Sequence, residues 1–447
     1  MLLIAFALCG CEYFSGSTAG KIIPPPEDPL LFAGDWGSVQ IASNAIVIDG
    51  NYWEAPSYRI KRVDAKSYMD VKNIDASAIP AYGLETVDVI TVFAAGSYLG
   101  EFMIIDESAM LFFVQNNELF LKKIAGQAST EPPETYLKPE GPGEAAKETT
   151  SGALIGIRSK TQQGGFSYRT LWIAASAGGV RQILESEHLF FPRMSGFWEC
   201  VSIDSFTNGT FSNVLIANGA FAKASDEKEA ISMDAIWYIG NDYVSVESTA
   251  GGVSQLHVTP VDSLPSHVKI KVADMLGENG RAAYANARGE TIESLAGKDA
   301  IVVAPDNYGE NFGLTRERGH WKLVGRVNYK DAVQGFCHVD FDLKTIPPHM
   351  LVFYDNLALN WNRVKDRVPD ALDAFTSPDK NIALVQTKNK LIVYTIGNEQ
   401  LSASPIGEIE LAEEETIVMA EWATSKYVDS WEKAFAAYGA HAQPPYR

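Results

Sequence analysis

From about residue 30 onward the chain is built of short apolar runs rich in β-branched and aromatic residues, fenced by Gly, Asn, Asp or Pro. Examples are 45–49, 87–93, 101–105, 110–114, 119–121, 171–173, 188–191, 235–238, 243–247, 300–303, 350–354, 382–385 and 391–394. Runs of this length and composition read as strands, and the residues between them as turns. Long amphipathic helical patterns are nearly absent, which disfavours alternating α/β architecture. An all-β fold is therefore expected. With 447 residues, 46% of them hydrophobic, the chain has ample material for a large core.

Several runs pair into hairpin units. Residues 375–386 are followed by 389–396, a turn, Leu401 and 405–411. An acidic turn at Asp106 leads into 109–114 and then 117–124, and a third unit runs from 179 through 188–192 to 196–203. Glycine–aromatic pairs recur at strand starts: Trp36-Gly37, Gly196-Phe197-Trp198 and Gly319-His320-Trp321. The Ser377-Pro378-Asp379 turn followed by two strands resembles the blade signature of TolB-like β-propellers. That resemblance implies a β-propeller-like body of about six to eight irregular blades; the alternative is two packed β-sandwich or barrel domains. Residues 125–151, with four prolines and many Glu, are expected to be a disordered insertion within this body. A C-terminal helix is expected over 426–439, where Val428, Trp431, Phe435 and Tyr438 repeat at helical spacing behind Thr424 or Ser425 as N-cap. A shorter helical pattern occupies 357–364.

The first residues carry an address. Residues 2–9 are an uncharged apolar run, too short to span a bilayer, which needs about 20 residues. Leu8-Cys9-Gly10-Cys11 follows, and resembles the lipobox of bacterial lipoproteins. The resemblance implies a signal peptide at 1–10, cleavage after Gly10 and lipid attachment at Cys11. It departs from that pattern in having no Lys or Arg before the apolar run. Residues 11–29 include Pro24-Pro25-Pro26 and read as a flexible tether leading to a body at 30–447. In the body, Cys200 and Cys337 are left either to form one bridge or to stand as two free thiols.

Candidate chemistry is sparse. His338, Asp340 and Asp342 alternate with apolar residues, so on a strand they share a face, as a metal site or as a solvated edge. The solvated edge is the better reading, and no metal is expected. Asp234, Asp242 and Asp306 flank strand-like runs, where channel carboxylates of a propeller would lie. Tyr52, Trp53, Tyr308 and Phe312 sit in Gly- and Asn-rich surroundings and are the aromatics expected at the surface. Glu413, Glu414 and Glu415 read as a solvated turn. No nucleophile elbow, P-loop, dinucleotide fingerprint or zinc-helix motif occurs. No cofactor is expected. The formal charge of −19 argues against nucleic acid as a partner. These features point to a monomeric, lipid-anchored extracytoplasmic binding or scaffold module for a protein or glycan. The alternatives are an envelope polysaccharide hydrolase or lyase using channel carboxylates, and an envelope signalling regulator.

Overall fold

The computed structural model describes residues 32–42, 44–72, 86–94, 97–114, 117–124, 150–162, 165–176, 178–193, 196–207, 210–218, 232–233, 235–263, 269–296, 300–303 and 309–443. Cys11, the 1–10 and 11–29 segments, Asp234, Asp306 and Tyr308 lie outside them, as does all of the expected insertion except its last two residues. Ser151, at the end of that stretch, opens a strand.

The described chain is mostly strand, arranged in seven antiparallel sheets, so the all-β class holds. Sheet I joins Gly34–Asp35, Val39–Ile41, Ala45–Ile48 and Asn51–Glu54 in sequence order. Sheet II joins Ser57–Asp64, Thr86–Ala94, Ser97–Asp106, Ala109–Val114 and Asn117–Lys122, also in sequence order. The two sheets share one core, with Trp36, Ile46, Ile90, Phe102 and Phe112 between them. Alternation sends Val87 and Val89 to the opposite face of sheet II. There they pack with Tyr68 and Met69 of a short helix, α1 (Ala65–Val71).

Sheet III is assembled from distant parts of the chain. Its spatial order is Thr416–Thr424, Ser151–Lys160, Phe166–Ser176, Gly179–Ser186 and His441–Gln443. The register runs from Ser151 opposite Thr424 to Arg158 opposite Thr416, with a bulge at Gly156/Ile157. Gly152 is needed beneath Trp172: a Cβ there would lie 2.1 Å from the indole. Sheet IV comprises Leu189–Arg193, Gly196–Thr207, Thr210–Asn218 and Ser232–Met233. Sheet V comprises Ala235–Ile239, Tyr243–Ala250 and Val253–Pro260. In sheet VI, His320–Asp331 pairs with Gly335–Asp342 on one edge, and with Phe312–Glu317 and Ile301–Val303 on the other. Sheet VII comprises Asp373–Thr376, Ile382–Gln386, Lys390–Gly397 and Gly407–Glu410, with Gln400–Leu401 completing a hairpin.

Sheets III, IV and V share a core around Trp172, Phe190, Phe191, Phe197 and Val244. Sheets V and VI share a second with α2 (Val272–Leu295), and sheets III and VII a third. Sheets VI and VII meet through Arg316, which stacks 3.9 Å from the Phe375 ring and donates to the Ala374 carbonyl at 2.8 Å. None of these cores, nor that of sheet VII with α3 (Trp361–Arg367), draws a residue from sheets I or II.

The hairpins expected at 109–122 and 375–411 are present as strand pairs. The third unit divides between sheets: Gly179–Ser186 belongs to sheet III, and its next two strands to sheet IV. The C-terminal helix α4 spans Lys426–Ala437, burying Val428 and Phe435. Its expected cap Ser425 has φ 53° and no capping hydrogen bond. The 24-residue α2 departs from the expected scarcity of helix. Its apolar positions carry little periodicity, and Gly277 breaks it with φ 62°, which hides it from pattern reading. Among the described residues no helix is long and apolar enough to cross a membrane.

Candidate functional site

Charged residues inside apolar strands are costly unless paired, so their partners mark the points where elements meet. The strand Ser57–Asp64 carries three such residues, Arg59, Lys61 and Arg62, into the junction between sheet II and the sheets that follow it. Lys61, 3% exposed, places its Nζ 2.8 Å from Oδ2 of Asp262 and 3.5 Å from Oε1 of Glu101. Glu101 also accepts from the Tyr68 hydroxyl at 3.0 Å, Thr91 at 3.2 Å and Lys72 at 2.6 Å. Arg193, at the end of its strand, bonds Asp262, Asp242 and the Asn241 carbonyl. Arg59 Nε lies 2.8 Å from Oδ2 of Asp242, and its guanidinium sits 4.9 Å from the Phe353 ring. Arg62 grips Asp88 through two bonds and donates to the Asp274 carbonyl at 3.0 Å.

The electrostatics follow from this pairing. Burial alone would push the Glu101 carboxyl up, but Lys61 and Lys72 outweigh it and hold it at about 2. Burial is likewise overcome at Asp262, which Lys61 and Arg193 hold well below the usual carboxylate range. Glu421, on the strand Thr416–Thr424, behaves in the opposite way. Its side chain keeps some exposure, yet its carboxyl is surrounded by protein. Desolvation lifts it to about 7, with Arg59 opposing the shift and Asp242 adding to it. Asn241 Nδ2 donates to it at 3.3 Å.

A shallow, open depression adjoins this network through residues 353–355 and 420–422. It is lined by Arg316, Trp321, Tyr354, Asp355, Asn356, Phe375, Thr376, Ala420 and Trp422, contributed by sheets VI, VII and III and the 354–356 segment. Arg316 forms its floor. Its Nη1 donates to Asp355 at 2.7 Å, its Nε lies 2.7 Å from Asp373, and its guanidinium centre is 3.9 and 5.4 Å from the Phe375 and Trp321 rings. Asp355 is held in turn by the Trp321 backbone N–H at 2.6 Å. The guanidinium is thus committed, Trp321 and Phe375 are buried against it, and the half-buried Tyr354 and Trp422 with the exposed Asn356 amide are what the depression offers to solvent.

Of the expected site residues, Asp242 is in this network, although as a guanidinium partner. His338, Asp340 and Asp342 do share a face of Gly335–Asp342 without forming a metal site. Asp340 pairs with the fully buried Arg326 through two bonds, and Asp342 accepts the Lys344 backbone N–H. Among the described residues no group of three acidic, His or Cys side chains is placed to hold a metal. Phe312 is a correction: expected at the surface, it is 1% exposed and packs in the core of sheets V and VI. Trp53 is half-buried against the core of sheets I and II, and Tyr52 is half-buried on the same strand. Glu415 leaves the solvated turn to pair with Arg169 at 2.7 Å, whereas Glu413 meets Lys388 in solvent. Cys200, buried, and Cys337 are free thiols. Sequence reading missed Arg59, Lys61, Glu101, Arg193, Asp262, Arg316 and Glu421. The available signal was a charge inside or abutting an apolar run, as in Tyr58-Arg59-Ile60-Lys61-Arg62-Val63 and Met419-Ala420-Glu421-Trp422. A scan against protein-family models returns no match for this chain, and a search of curated proteins returns none either.

Proposed function

We propose that this chain is an exported, lipid-anchored binding protein, tethered through Cys11, whose depression around Trp321, Tyr354, Phe375 and Trp422 receives one protruding unit of a peptide or glycan. The observation that carries this reading is the convergence of the half-buried Tyr354 and Trp422 with the exposed Asn356 amide, over the buried Trp321 and Phe375, at the meeting of three sheets. The depression is shallow and open to solvent, so it could take up no more than the tip of a larger partner. A propeller-like body of sheets III to VII supports the same reading. Each packs on the next, the last packs on the first, and the strand Thr416–Thr424 returns from late in the chain to pair with Ser151–Lys160. In that arrangement the edge strands Phe312–Glu317 and Thr416–Thr424, which both lie beside the edge strand Ala235–Ile239, are central with it, and two of the three line the depression, through Arg316, Ala420 and Trp422. That ring has five sheets, fewer than the six to eight blades expected from length.

One observation favours the hydrolase alternative: Glu421, lifted to about 7 beside Asp242, has the protonation a general acid needs near neutral pH. Against it, both Asp242 oxygens are engaged by Arg59 and Arg193. Binding to glycan and peptide arrays, wild type beside Trp422→Ala and Tyr354→Ala, separates the two. Loss of at least about fivefold in affinity without turnover supports binding; stacking losses of about 1–3 kcal/mol would give this. Turnover of a polysaccharide that Glu421→Gln abolishes would replace it with hydrolysis.

A further inference from the structure

The outer strand of sheet II, Asn117–Lys122, pairs on one side only among the described residues. The pairing fixes which backbone groups remain. Ala109 lies opposite Lys122, and the next pair outward, Ser108 and Lys123, is hydrogen-bonded, with Lys123 N–H donating to the Ser108 carbonyl at 2.8 Å. Bonded pairs recur at every second residue of an antiparallel ladder. Residues 119 and 121 therefore turn their backbone groups inward, and residues 118, 120 and 122 turn theirs to the open edge. Ile124 confirms the parity: its N–H points outward and donates to the Asp35 carbonyl at 2.7 Å. Beyond that bond no described residue covers the edge, with Leu119 36% and Phe120 42% exposed and Lys122 in solvent.

A bare apolar edge invites another strand. The sequence Asn117-Glu118-Leu119-Phe120-Leu121-Lys122 sets opposite charges two residues to either side of Phe120. A second copy meeting it antiparallel, about a two-fold axis at Phe120, pairs position 120 with itself and position 118 with position 122 of the other copy. This is the one register in which the three outward residues pair with one another, apolar meets apolar and Glu meets Lys twice. We propose that the occupant of this edge is a second copy of the chain, giving a two-fold symmetric dimer through a continuous sheet. It goes beyond the binding role proposed above and does not depend on it, since the depression lies on sheets III, VI and VII.

Sedimentation velocity of the full chain in detergent, over a range of concentrations, tests it with Glu118→Lys and Lys122→Glu. Each single variant sets like charges opposite at both symmetric positions and is expected to weaken self-association at least about tenfold. An equimolar mixture of the two restores every opposite-charge pair and is expected to recover a heterodimer, which a misfolded variant could not form. A wild type that stays monomeric throughout, or single variants that dimerise as the wild type does, would overturn the proposal.

Discussion

Glu421 shows what a single residue can hide in a sequence. It stands in an apolar strand, and nothing adjacent to it announces a partner. Its neighbours Arg59 and Asp242 come from positions far away in the chain, just as Lys61 and Asp262 pair across 201 residues. Charge inside an apolar run was the legible part; which charge it meets was not, because pairing is decided by how whole sheets pack. Since the folded carboxyl is raised to about 7 from 4.5, the native state holds an extra proton between those values. Stability is then greatest below about 4.5 with respect to this group and falls as pH climbs to 7. Glu421→Gln should remove that decline and make the protein more stable than wild type at pH 8. Urea unfolding at pH 5 and pH 8 would show it, and equal pH slopes in both proteins would contradict the assignment. Glu101 has the opposite sign. Held at about 2, it contributes stability above 4.5 that is lost as pH falls towards 2, on the order of 3 kcal/mol.

At the scale of elements, legibility followed periodicity. The strands at 109–122 and 373–410 alternate or run apolar between clear turns, and α4 repeats its apolar residues at helical spacing, so all could be read. Helix α2 could not, because Gly277 breaks it and the residues it buries include small ones such as Gly280 and Ala287. The depression was equally illegible: Trp321 and Trp422 come from strands of different sheets, and only packing brings them together. Helix α4 makes the energetic case for reading such patterns. Phe435 is fully buried, with its ring 5.9 Å from Phe190 and 6.1 Å from Phe197, and Trp431 lies 6.1 Å from Trp172. Phe435→Ala should therefore cost about 3–5 kcal/mol, and the exposed Lys433→Ala no more than about 0.5 kcal/mol. Tryptophan fluorescence during urea unfolding reads both; equal effects would mean that the helix does not hold sheets III and IV together.

The whole molecule divides by the chemistry of its contacts. Among the described residues every core cluster draws from one side of residues 125–149: two from 124 and below, four from 150 and above. The side-chain bonds that cross are polar, among them Lys61 to Asp262, Arg59 to Asp242, Arg62 to the Asp274 carbonyl and the Tyr243 hydroxyl to the Arg62 backbone; the Arg59 guanidinium also lies against the Phe353 ring, and α1 packs beside residues 261–263. Apolar burial supplies most of the free energy of folding, whereas paired charges contribute little net, because desolvation offsets their attraction. A fragment of residues 150–447 should therefore fold without the first two sheets. Removing them exposes Asp242 and Asp262 to water, so no buried charge is stranded, and Arg193 stays between the two acids. The isolated fragment should show cooperative unfolding and the far-UV circular dichroism of a β protein, with a midpoint within a few degrees of the later transition of the full chain. A fragment that is unfolded or only partly ordered would mean that the ionic junction is worth far more than paired charges usually are. The strand Thr416–Thr424 would then close its sheet only when sheet II is already docked.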